Sequence, residues 1–359
     1  MLMLVAVGFL LYKAGYERFF GPTNPGNPHE NEPVEAGDPD KGDMGGQPEV
    51  PDEDLTEEQL ALFRPNELGK IPIIMYHAIG DTEGEWQRSR DNFRADLQRF
   101  YDLGYSLIPL NDYLRGQISA PAGRAPLILT FDDATAGQFN MIQSETDGEW
   151  IPDPDSAVGM LLEFERSHPE FGHAATFFID FPAPFGDAKR VEENLTFLIE
   201  NGMEIGNHTY NHKNLQSASP DVVVQEIGSL ANKVRELCGY ETLSLALPYG
   251  GYPKTDDGLA SGEWEGQPYT NLGVLLVGAE PAPSPYSSKF SPLAIPRIRG
   301  SQEELDKWLG NFERYPETRF VSDGQASTVT IREGEQDKLD PSRIEGLKVV
   351  TYDLSPTSK

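Results

Sequence analysis

The run Pro126-Leu127-Ile128-Leu129-Thr130-Phe131 stops abruptly on two carboxylates, Asp132-Asp133. An apolar segment of that length, with no polar alternation, is the pattern of a strand buried on both faces. Similar short runs lie on either side: Ile71 to Tyr76, Tyr105 to Leu110, Ala174 to Ile179, Met203 to Gly206, Leu243 to Leu247 and Asn271 to Val277. Between them, apolar residues recur at helical spacing. Asn92 to Leu103 (Phe93, Leu97, Phe100, Tyr101), Ser156 to Arg166, Ala188 to Asn201, Pro220 to Leu237 and Gln302 to Asn311 read as helices, with a short one at Asn111 to Leu114. Alternating strands and helices imply parallel βαβ units, hence an α/β barrel or a doubly wound sheet. In both, function collects at the C-terminal ends of the strands. The segment Arg319 to Leu354 is expected to add two or three closing strands.

The chain has 359 residues, enough for one large domain or two ordinary ones. Its formal charge of −29, from 58 acids against 29 bases, argues against nucleic acid or anionic headgroups as partners. A neutral substrate fits better. The single cysteine, Cys238, excludes an intrachain disulfide framework and a cysteine-based zinc site. Residues 1–20 open with twelve apolar residues, Met1 to Tyr12, before Lys13. As a helix these span only ~18 Å, short of a bilayer core. They read as part of a signal-anchor, with a packed amphipathic helix as the alternative. Residues 21–68 carry eight prolines and thirteen acids against two bases, the composition of a disordered tether. A short helix is expected within it, from Asp54 to Leu60. The catalytic domain is then expected at 69–359, on a membrane-anchored, extracytoplasmic protein.

Three motifs carry chemistry. A lone buried carboxylate costs several kcal/mol, so one of Asp132 and Asp133 is expected to face a cation, unless the pair merely caps a helix. In His208-Thr209-Tyr210-Asn211-His212 the histidines stand at i and i+4. On a helical turn their Cβ atoms would lie roughly 5–6 Å apart, close enough to share one ion. Two imidazoles and one carboxylate leave open positions for water and substrate. Ala246-Leu247-Pro248-Tyr249-Gly250-Gly251 is a strand ending in a Pro-Tyr-Gly turn. Such a turn can aim a backbone N–H at an oxyanion, or it is a plain β-turn.

Together and in this order, the three motifs resemble the polysaccharide deacetylases of carbohydrate esterase family 4, the NodB-homology group, over roughly residues 70 to 300. The resemblance implies a distorted (β/α) barrel, one divalent metal, most simply Zn2+, and removal of acetyl groups from a cell-envelope polysaccharide by a monomeric enzyme. By motif position it implies Asp132 as general base and Asp133, His208 and His212 as metal ligands. Pro248 and Tyr249 would border the substrate, with the Tyr249 backbone N–H on the oxyanion. The family pattern has an arginine where this chain has Ala246, and Arg297 and Arg299 are the nearest candidates to replace it. No histidine follows His212 to act as the acid. Members resembling the poly-N-acetylglucosamine deacetylases look circularly permuted and carry that histidine in an early Met-Tyr-His stretch. Met75-Tyr76-His77 stands in that place here, making His77 the candidate proton donor. Two other readings remain: a C–N hydrolase of a small metabolite on the same fold, and a glycan-binding module with a decayed site.

Overall fold

The apolar run becomes the strand Ala125–Phe131, and all seven residues are buried. The computed structural model describes residues 55–353 apart from 145, 147 and 279. The expected anchor and most of the tether lie outside the described residues. No helix among the described residues is long and apolar enough to cross a membrane.

In chain order the main sheet contains β1 (Ile73–Tyr76), β2 (Tyr105–Leu107), β3 (Ala125–Phe131), β4 (Thr176–Ile179), β5 (Glu204–Asn207), β6 (Ser244–Ala246), β7 (Gly273–Leu275) and β8 (Ile298–Arg299). Their order is β7-β6-β5-β4-β3-β1-β8, with β2 also on β3. Every pairing is parallel. A further parallel bridge, Leu275 to Ile295, joins β7 to the segment entering β8. The two ends of the sheet therefore approach one another, and it curls into a distorted (β/α) barrel.

Among the described residues, five helices longer than one or two turns accompany the sheet: α1 (Arg90–Asp102), α2 (Ala157–Ser167), α3 (Val191–Glu200), α4 (Pro220–Cys238) and α5 (Gln302–Arg314). Their ends follow local chemistry. Ser89 and Ser156 accept from the backbone N–H groups of Asn92 and Gly159. Pro220 opens α4, and Gly239, with φ of 65°, closes it.

The pleat of β3 sorts its residues between two cores. Leu127, Leu129 and Phe131 pack with Phe93 and Leu97 of α1. Ile128 joins Phe178, Ala246 and Leu275 in a second cluster. Thr130 and then Asp132 continue the row of Ile128, and this alternation delivers the Asp132 carboxylate to the barrel end. Phe178 fits beside β5 because residue 206 is glycine; a Cβ there would lie 2.4 Å from its ring.

Two expectations need correction. Thr328–Arg332 and Lys348–Tyr352 form strands, but they pair only with each other, as a separate parallel ribbon. The barrel closes instead through Ile295 and β8. The tether also ends earlier than residue 68. After the helix Glu57–Phe63, whose Thr56 and Gln59 form a capping box, Asn66 and Glu67 are buried in the domain. Asn66 bonds the backbone of Glu317, Arg319 and Val321. Glu67 accepts from the Thr330 N–H at 2.7 Å. Polar bonds to distant backbone anchor this segment, so apolar periodicity does not reveal it.

Burial and the neighbouring Asp323 carboxylate push Glu67 well above the ordinary carboxyl range. As pH rises past Glu67's ordinary value of 4.5, the unfolded chain releases this proton and the folded chain retains it. The folded state is therefore progressively penalised, by at most about 1.4 kcal/mol per pH unit. Glu67→Gln has no proton to lose, so its stability relative to wild type should improve as pH rises above Glu67's ordinary value of 4.5. Urea melts at rising pH measure the difference, and a flat one would show that Glu67 does not titrate this way.

Candidate active site

Asp132 and Arg297 form the buried floor of the site. Arg297 is fully buried and Asp132 is 1% exposed. The guanidinium donates from Nη1 to Asp132 Oδ1 and from Nη2 to Oδ2, each at 2.7 Å. Its remaining donors reach Thr130 Oγ1 at 3.1 Å and the Leu276 carbonyl at 2.9 Å. Burial opposes ionisation of Asp132, yet the Arg297 charge and its hydrogen bonds hold its carboxyl below the usual range. Of the two candidates to replace the arginine absent at Ala246, Arg297 is the one that reaches Asp132. Arg299, the other candidate, packs its guanidinium over the Trp86 ring at 4.0 Å.

The backbone turns sharply after Asp132, with Asp133 and Ala134 at φ of 71° and 43°. This left-handed pair sends two consecutive carboxylates in different directions. Asp133 Oδ1 lies 3.2 Å from His208 Nε2 and 3.1 Å from His212 Nε2. One ligand atom from each of the three residues lies within 4.8 Å of the others. The histidines do not sit on a helix. They bracket a turn after β5 in which Thr209 and His212 have φ of 60° and 50°. Equal spacing still brings the rings together, with centroids 4.9 Å apart.

The outer nitrogens test whether this cluster suits a cation. His208 Nδ1 lies 2.8 Å from the Ala246 carbonyl, which can only accept, so Nδ1 carries the proton. A neutral His208 then points an Nε2 lone pair at a carboxylate oxygen. His212 Nδ1 meets the Tyr249 hydroxyl at 3.0 Å, leaving its Nε2 to face the same oxygen. The His208 lone pair, facing an anionic oxygen, needs a proton or a cation between them. A divalent metal satisfies all three donors at once, so the residues fit one.

His77 follows β1, at the same end of the barrel. Burial lowers its imidazole from the ordinary value, against the pull of the Asp132 and Asp133 carboxylates. Tyr249 follows β6 in the Pro248–Gly250 turn, with φ of 58°. Its ring is exposed, and its backbone N–H has no acceptor among the described residues. Pro248 is buried beneath it.

Sequence reasoning missed two neighbours. Asp180, directly after β4, is raised by burial against the attraction of His212 and His208. It is a strand-end carboxylate, like Asp132, and the same rule could have found it. Trp86 packs on His77 with ring centroids 4.7 Å apart and sits in a loop without periodicity. The segment after Asp133 reaches the site through Gln138, which donates to the His77 and Asp132 carbonyls. Its Trp150 stacks on Arg190, 3.6 Å away. His173 pairs with Glu165 and His168 stacks on Phe164, both in structural roles.

Comparison with known proteins finds similarity to deacetylases. Residues 169–260 match the family model for polysaccharide deacetylase, a segment holding His208, His212 and the Pro248-Tyr249 turn. YxkH of Bacillus subtilis (strain 168), described as a putative polysaccharide deacetylase, is 21% identical over 197 residues. That alignment covers 54% of this chain and 61% of the relative, less than two thirds of its length. Among solved structures, the Streptococcus pyogenes deacetylase PplD is 23% identical with a TM-score of 0.49, over 68% of this chain and 97% of that one. IcaB from Ammonifex degensii is 16% identical with a TM-score of 0.47, over 67% and 97%. The family-model match places the histidine motif and the Pro248-Tyr249 turn in a segment similar to the polysaccharide deacetylases.

Proposed function

We propose that this protein hydrolyses N-acetyl groups on a cell-envelope polysaccharide, using one divalent metal held by Asp133, His208 and His212. The observation that carries the reading is a fully buried bidentate Arg297–Asp132 pair beside the three-ligand cluster. A catalytically decayed binding module needs no such buried base. Two nitrogens and one oxygen suit Zn2+. When bound, the cation supplies a water of lowered pKa and polarises the acetyl carbonyl.

The chain's own groups do the rest. Asp132 accepts the proton of the attacking water. Bidentate pairing with Arg297 uses one lone pair on each carboxylate oxygen and leaves the others available. The Tyr249 N–H donates to the developing oxyanion, an interaction worth about 3–4 kcal/mol in comparable sites. His77 then gives its proton to the departing nitrogen as the C–N bond breaks and its electron pair stays on nitrogen. The Tyr249 hydroxyl and Ala246 carbonyl keep both ligand imidazoles oriented. The acidic surface favours a neutral glycan over an anionic one. The apolar start and acidic tether support an extracytoplasmic, membrane-anchored setting.

The test is acetate release from N-acetylated and O-acetylated oligosaccharides, before and after chelation. Chelator should abolish release, and Zn2+ should restore it. Full activity after exhaustive chelation would overturn the metal assignment. Release from O-acetyl substrates alone would overturn the amide assignment.

A further inference from the structure

A proton donor must be aimed, and no hydrogen bond to the His77 ring is seen among the described residues. Its orientation rests on packing. Trp86 lies against the imidazole with centroids 4.7 Å apart and planes inclined by 54°. The Arg299 guanidinium lies 4.0 Å from the centre of the indole. Arg299 belongs to β8, which pairs directly with β1, the strand that ends just before His77. The stack Arg299–Trp86–His77 therefore returns to the strand pair from which it starts.

The loop carrying Trp86 is built to stay still. Glu83 accepts from Arg88 at 2.8 Å, from the Ser89 N–H at 2.9 Å and from Asn92 at 2.8 Å. Arg88 is itself buried and paired with Asp96. The Ala78 N–H donates to the Trp86 carbonyl at 3.0 Å. Even so, 42% of Trp86 is exposed. A large, half-open aromatic on so rigid a loop has gained little by burial, and its ordered contacts are with His77 and Arg299.

We propose that Trp86, clamped by Arg299, is a positioning residue that holds His77 in line with the leaving group. This rests on the deacetylase reading and deepens it. An acid matters most when the leaving group is poor. An amide nitrogen departs only with a proton, whereas an aryl acetate releases a phenolate that needs little help. Damage to His77 orientation should therefore fall on amides far more than on aryl esters. Damage to the metal cluster or to Asp132 should fall on both.

The experiment compares the wild type, Trp86→Ala, Trp86→Phe and Arg299→Gln, all supplied with Zn2+. Each is assayed on an N-acetylated chito-oligomer and on 4-nitrophenyl acetate. Trp86→Ala should lose about 10- to 100-fold in kcat on the amide, with KM little changed, and at least tenfold less on the ester. Trp86→Phe should recover most of the amide activity, and Arg299→Gln should show a milder version of the alanine pattern. Equal losses on both substrates, or a rise in KM alone, would overturn the positioning role. A wild type that hydrolyses neither substrate rejects the deacetylase reading itself, which separates the two failures.

Discussion

Asp132→Asn should reduce kcat for acetate release by about 10²- to 10⁴-fold, the usual range for loss of a general base. The amide keeps the shape of the carboxylate, so KM should change little. A carboxamide cannot take a proton from water, and it also gives up one of the two bonds and the charge pairing to Arg297, so the folded fraction is checked by a denaturant melt. Metal content should be preserved, because the proposed ligands are the neighbouring Asp133 and the two histidines. Asp133→Ala makes the contrast: it removes one donor of three and should lose metal and activity together. Steady-state kinetics with metal analysis on both variants separate the two roles. An Asp132→Asn enzyme within tenfold of wild type would remove Asp132 as the base, whatever its contact with Arg297.

Much of this site was legible because it grows from strand ends. The apolar run before Asp132 marks a buried strand, and strand ends are where a parallel α/β fold displays its chemistry. The histidine spacing was informative for an incomplete reason. It suggested a helical turn, while the structure uses a left-handed φ at Thr209 and at His212 to bring the same rings together. Dihedrals of that kind leave no mark on Thr or His in the sequence. Other parts left no mark at all. The Ala246 carbonyl orients His208, a task any residue could perform there. Trp86 reaches His77 from a loop whose order comes from Glu83, a residue indistinguishable in sequence from the chain's other acids. Arg297 was one of two arginines flanking Ile298. Strand alternation would put residues 297 and 299 on one face, so the sequence could not tell that Arg297 reaches Asp132 while Arg299 lies over Trp86.

Removing that arginine should have the largest effect on the molecule as a whole. Arg297→Met leaves Asp132 at 1% exposure without its charge partner, and Thr130 and the Leu276 carbonyl also lose a donor. Breaking one side of a buried pair typically costs about 3–5 kcal/mol, which denaturant melts would register as a large fall in midpoint. Activity should fall with it, since burial alone raises a carboxyl's pKa and a protonated Asp132 is no base. Arg297→Lys should recover little, because one ammonium cannot reproduce two parallel bonds to a carboxylate. The double variant Asp132→Asn/Arg297→Met isolates the pair from its surroundings. With neither buried charge present, it should be more stable than the sum of the two single losses predicts, while remaining inactive. Strict additivity would mean that the two residues stabilise the barrel independently, and that Arg297 does not serve the base it touches.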